Sequence, residues 1–178
     1  RLEPEWIPRE GNELADYLSR IVDYDDWLLD PNVFGMLDEL WGGHTVDRFA
    51  SQFNAQLERY NSRFADPGAE AVDAFTVDWR GENNWLCPPI SLIPRVLRHA
   101  EACQALGTLV VPCWESAPFW PLLCLGKGLF ASFVTDFRPL PLVAGLFIAG
   151  KSGSVLFGGG IPNSAVFAMR IDFSIGRL

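Results

Sequence analysis

Histidine is scarce in this chain, which holds only His44 and His99 among 178 residues. The four cysteines, Cys87, Cys103, Cys113 and Cys124, form no C-x-x-C pair. A zinc cage built from Cys and His is therefore not expected, and no metal site is expected in this fragment. Long apolar runs are missing as well. The richest region, 122–156, is broken by Lys127, Asp136, Arg138 and Lys151, whereas a membrane span needs roughly 20 uninterrupted apolar residues. Residues 1–10 are polar and interrupted by Pro4 and Pro8, unlike a secretory signal. No membrane partner is expected, and reduced thiols in nucleus or cytoplasm are. Positive charge is short too: 14 Lys and Arg stand against 22 Asp and Glu, a formal net charge of -8. That balance argues against a generally sticky nucleic-acid binder, whose footprint is basic. It leaves room for a local basic face, and Arg95, Arg98 and His99 fall together on one predicted helix.

What is present is a core. Hydrophobic residues make up 49% of the chain, enough for one domain with a sizeable interior. The chain opens at Arg1 in mid-pattern and reads as a fragment of a longer polypeptide. Residues 12–21 predict a helix, capped by Asn12, with Leu14, Leu18 and Ile21 on one stripe. The acidic stretch 23–27 reads as a linker. A second helix is well signed: Asp30 is its N-cap, Pro31 its first residue, Phe34, Leu37 and Trp41 its apolar face, and Gly42-Gly43 its end. Strands are predicted over 44–50 and 84–87, with a turn at Asp66-Pro67-Gly68 and a short strand or loop over 72–79. Residues 91–105 predict an amphipathic helix closed by Gly107, and 108–112 a strand buried on both faces. A short helix over 118–123 is followed by strands over 130–137, 142–148, 154–157 and 165–173. Helix–strand alternation giving way to strands alone predicts an α/β fold over 28–173. Its sheet is Rossmann-like and doubly wound, with C-terminal strands that turn antiparallel.

In such a sheet ligands bind at the carboxyl ends of the strands. One strand end carries Asp47, which can meet a hydroxyl or amine, with Ala50, Ser51 and Asn54 leaving space and hydrogen bonds for a nucleoside-like ligand. The next carries the turn Cys87-Pro88-Pro89-Ile90, and Asp73 or Asp78 can line the crevice between them. Surface turn duty is the competing reading for the aspartates. Cys87 is an inert buried thiol or, less simply, a nucleophile without an evident base. Gly158-Gly159-Gly160 lacks the Lys-Ser/Thr of a phosphate loop and reads as a strand connection. Trp79, Trp85 and Trp114 are core or rim residues, with a base-stacking platform as the alternative.

Taken in order, these stretches resemble the phage-type DNA adenine methyltransferases. The resemblance runs through Asp25-Asp26-Trp27, the Pro31 helix, Asp47 with Ala50-Ser51 and Asn54, Arg59-Tyr60, Asp78-Trp79 and the Pro-Pro turn. It continues through the strand ending at Pro112, then Gly150-Lys151, Phe157 and Asn163-Ser164. The resemblance implies S-adenosylmethionine as cofactor, held by Asp47, Ala50, Ser51, Asn54 and Asp78. It also implies Cys87, Pro88, Pro89 and Ile90 as the catalytic turn, where that family reads Asp or Asn, Pro, Pro and an aromatic. Here the turn departs at both functional positions. An exocyclic adenine amine attacks a methyl sulfonium only if an acceptor draws on its hydrogens as charge develops. A thiol is a weak acceptor, and Ile90 offers no π face to a flipped base. The implied activity is therefore absent, unless the chain is a working S-adenosylmethionine-dependent methyltransferase with an altered motif.

The first residues resemble something else. Trp6 to Asp16 is similar to the last helix of a ribonuclease H, in which Asp16 supplies the final metal-binding carboxylate. Mg is implied only in a complete ribonuclease H, because one carboxylate cannot hold two metal ions. A ribonuclease H end (1–22), a linker (23–27) and a methyltransferase-like domain (28–178) together resemble the polyprotein of a DIRS-type, tyrosine-recombinase retroelement. That resemblance implies reverse transcriptase and ribonuclease H upstream. It also implies DNA or an RNA–DNA hybrid as partner, along with the rest of the polyprotein.

Overall fold

The computed structural model describes residues 27–149 and 160–175. The predicted helix over 12–21, Asp16, and the strand over 154–157 lie outside the described residues. Five strands form the central sheet: β2 (Val46–Asp47), β5 (Asn83–Leu86), β6 (Leu106–Pro112), β11 (Val166–Asp172) and β9 (Val134–Pro139), in that spatial order. The first three run parallel, and β11 is antiparallel to both its neighbours. The result is a mixed α/β domain whose C-terminal strands are antiparallel.

Both faces of the sheet are covered. On one lies α2 (Ile93–Cys103), which buries Ile93, Val96, Leu97, Ala100 and Cys103 against Leu86, Leu109, Val111, Met169 and Ile171. On the other lie α1 (Pro31–Leu40) and a two-stranded ribbon of β1 (Trp27–Leu29) and β10 (Phe147–Ala149). These pack on Trp85, Val110, Val166 and Ala168. Successive residues of β6 thus enter opposite cores, and a strand buried on both faces must be apolar throughout. The exception is Thr108. Its Oγ1 lies 2.7 Å from His44 Nε2, and His44 Nδ1 lies 2.7 Å from Asp38 Oδ1. This buried relay fastens α1 to the middle of the sheet. Burial pulls the His44 pKa down against the opposing pull of Asp38, which favours the neutral ring.

The well-signed helix forms for the expected reason. Asp30 Oδ1 accepts from the amides of Asn32 (2.8 Å) and Val33 (3.2 Å), and Pro31 starts the first turn. Other boundaries differ. Trp27, placed in the linker by the sequence, is buried in β1. The strand expected over 44–50 stops at Asp47, because the Asp47 carboxylate captures the amides of Phe49 and Gln56 and turns the chain. The helix expected over 91–105 divides into a 3-10 turn at Ile90–Leu92 and α2. Gln104, not Gly107, ends it: the Gln104 amide reaches Glu101 O and the Ala105 amide reaches Ala100 O, with Gln104 at φ 52. Gly107 is instead a strand residue, and a Cβ there would lie 2.6 Å from Asn84 O.

The strand expected over 130–137 begins only at Val134. Leu129–Phe130 (β8) closes a separate ribbon with Cys124–Gly126 (β7), following a short helix, α3 (Trp120–Leu123). Of 142–148, only the end enters a strand, since Gly145 at φ 84 and a Leu146 N–H to Val143 O bond place a turn before Phe147. Two further two-residue strands, β3 (Asn61–Ser62) and β4 (Ala71–Val72), pair beside β2. No helix among the described residues is long and apolar enough to cross a membrane.

Candidate functional site

A cavity of about 330 Å³ opens beyond the carboxyl ends of β2 and β5, in the size range of small-molecule sites. Parallel strands make this edge the natural ligand side of the sheet. Ala50, Ser51 and Asn54 reach it from the loop after β2, and Cys87 and Pro89 from the turn after β5. The two stretches singled out by sequence therefore meet at one place. Asn54 is held in position by its own loop: its Oδ1 accepts from Ser51 N (2.6 Å) and Ser51 Oγ (3.0 Å).

The remaining candidates are placed differently. Asp47 lies behind the cavity, 2% exposed, with one carboxylate oxygen on Phe49 N and the other on Gln56 N. Asp73 is on the wall, while Asp78 is exposed elsewhere and accepts from Arg80 N at 2.9 Å. Pro88 is buried, and Ile90 packs against both cores and is not part of the wall. The position that would carry a stacking aromatic therefore points into the protein. Trp79 and Trp85 are core residues, one in each cluster. Trp114 is half-buried and donates to Ser164 Oγ at 2.8 Å.

Burial pushes the Cys87 thiol up to about 12, and the Asp47 carboxylate behind it adds to the shift. Cys87 is thus a protonated thiol at neutral pH, neither a nucleophile nor a strong acceptor. Burial likewise raises Asp47 to about 6, with the two backbone amides opposing. The three basic residues that share α2 in sequence, Arg95, Arg98 and His99, do not share one place. Arg95 lies on the cavity wall, but His99 turns inward, with Nε2 2.9 Å from Val77 O and its ring against Trp79.

One wall residue was not singled out from the sequence. Arg48 is 4% exposed. It donates from Nε to Asn84 Oδ1 (2.7 Å) and from Nη1 to Asn61 Oδ1 (2.9 Å). Its guanidinium lies 5.8 Å from the Trp79 ring centroid. Both partners are neutral amides, and no carboxylate among the described residues forms an ion pair with it. Arg63 and Arg95 complete the charged wall, Arg95 3.8 Å above the Phe75 ring and 3.8 Å from Asp73 Oδ2. Among the described residues, Arg48, Arg63 and Arg95 thus share the wall with one carboxylate, Asp73. The signal in the sequence is a second charge, beside Asp47, inside the run from Val46 to Ala50.

Of the residues that the resemblance assigns to S-adenosylmethionine, Ala50, Ser51 and Asn54 line the cavity, whereas Asp47 spends its carboxylate on the amides of Phe49 and Gln56 and Asp78 lies elsewhere. For metals, the described residues contain no group of three or more His, Cys, Asp or Glu placed to hold an ion. Neither protein-family models nor curated proteins match the chain.

Proposed function

We propose that this chain is a methyltransferase-like module of a retroelement polyprotein that does not transfer methyl groups and uses its cavity to bind a nucleotide. The observation that carries the reading is the convergence of Ala50, Ser51 and Asn54 with the Cys87-Pro88-Pro89 turn at the carboxyl edge of two adjacent parallel strands. That placement, together with antiparallel C-terminal strands, supports a Rossmann-like methyltransferase sheet. Cys87 supports the loss of chemistry, because a thiol held protonated cannot draw on an amine's hydrogens. Phe49 gives the cavity an aromatic wall, which suits a base.

In the full polyprotein the partner is DNA or an RNA–DNA hybrid, delivered by the upstream reverse transcriptase and ribonuclease H. Isothermal titration tests the reading on the purified chain, with nucleosides, nucleotides and S-adenosylmethionine as titrants. Micromolar to millimolar binding of a nucleoside or nucleotide is expected, without methyl transfer. A cavity that takes no nucleoside, nucleotide or cofactor overturns the reading. Binding of S-adenosylmethionine with turnover on DNA would establish the alternative, an active methyltransferase with an altered turn.

A further inference from the structure

We infer that Arg48 is the anchor for a phosphate group, so that the cavity selects a nucleoside monophosphate over the corresponding nucleoside or a sulfonium cofactor. The inference rests on the reading of the cavity as a nucleotide site and names the group that site recognises. A buried guanidinium ordinarily has a carboxylate beside it, because an uncompensated charge in a low-dielectric interior is costly. Arg48 has instead the side-chain oxygens of Asn84 and Asn61 as hydrogen-bond partners, and the carboxylates of Glu82 and Glu70 act on it only through space. Those two bonds leave donors of its planar fork available on the cavity side, the geometry that matches two oxygens of a phosphate.

Two further observations point the same way. Asn61 accepts from Arg48 through Oδ1, and its Nδ2 is buried with no acceptor among the described residues. Buried donors in native proteins have partners, and an oxyanion beside Arg48 supplies one. In a chain whose formal net charge is -8, a cavity whose described wall carries Arg48 and Arg95 with Asp73 as its carboxylate is a local departure from that sign.

The test is isothermal titration of the 178-residue chain with adenosine, adenosine 5′-monophosphate, inorganic phosphate and S-adenosylmethionine. The monophosphate is expected to bind at least about tenfold more tightly than adenosine, as a charge-assisted bidentate contact implies. Inorganic phosphate should compete with it, and raising the salt should weaken the monophosphate but not adenosine. Arg48→Met should bring the two affinities together. Because Arg48 also holds Asn84 and Asn61, Arg95→Gln on the cavity wall serves as a second variant, expected to weaken the monophosphate several-fold more than it weakens adenosine. Equal affinity for adenosine and its monophosphate overturns the phosphate anchor while leaving the nucleotide cavity standing. Tighter binding of S-adenosylmethionine than of the monophosphate does the same. Binding of none of the four overturns both.

Discussion

Asn84 Oδ1 accepts the Arg48 Nε–H at 2.7 Å, while Asn84 Nδ2 donates to the carbonyls of Trp79, Glu82 and Leu106. One fully buried amide therefore supports the buried guanidinium and ties β5 to the start of β6. Asn84→Leu removes the acceptor and all three donations at once. Arg48 keeps Asn61 but loses its Nε acceptor, and a hydrogen bond to a charged group is worth about 1.5–3 kcal/mol, so with three donations lost as well this variant should lose at least about 3 kcal/mol in urea denaturation. A loss below about 1 kcal/mol would show that Arg48 does not depend on Asn84.

The contact behind that amide is steric. Gly107 pairs with Asn84 across the parallel ladder, and a Cβ would approach Asn84 O to 2.6 Å and Asn84 Cβ to 3.1 Å. Gly107→Ala should cost about 1–3 kcal/mol, because both sides of the clash are in the sheet and cannot give way. Gly35 is the control: it lies within α1 with nothing within 4 Å of an added Cβ. Gly35→Ala should stabilise by about 0.5–1 kcal/mol. Thermal midpoints moving in opposite directions would bear out both statements, and a neutral Gly107→Ala would contradict the first.

Asp47 predicts a pH dependence. Its pKa rises from an ordinary 3.8 to about 6 in the folded chain, so the folded state binds more protons than the unfolded state between those values. Stability contributed by this group is full below about pH 4 and falls as pH rises through about 6. The difference is worth about 3 kcal/mol. Asp47→Asn keeps one acceptor for the two amides and removes the titration. The stability of Asp47→Asn relative to wild type should therefore increase by up to about 3 kcal/mol between pH 4 and pH 7. A constant difference across that range would contradict the assignment.

Much of the scaffold is legible in local chemistry. Asp30-Pro31 favours a helix start through its own cap and fixed φ, and the apolar run of β6 requires cover on both faces. Ala50, Ser51, Asn54 and Cys87 were also legible, since they stand at strand ends in a parallel sheet. What was not legible depends on distant partners. Arg48 is explained only by Asn61 and Asn84, 13 and 36 positions away. Asp47 looked like a ligand because its acceptors for backbone amides are set by the loop that returns at Gln56. Ile90 sits at the motif's aromatic position, yet the 3-10 turn it starts carries it into the cores. The entry of β11 between β6 and β9 is a tertiary choice that no local pattern records.

The central claim, a methyltransferase-like cavity without methyl transfer, is tested most directly by a radiolabelled methyl-transfer assay on single- and double-stranded DNA. Wild type is compared with Cys87→Ala and Cys87→Asn. Loss of one preorganised contact of this kind costs about 3–4 kcal/mol, a factor of roughly a hundred to a thousand in rate. Wild type and Cys87→Ala should both stay at background, because the thiol supplies no acceptor and the turn presents no aromatic to the base. Robust transfer by the wild type that Cys87→Ala abolishes would contradict the account.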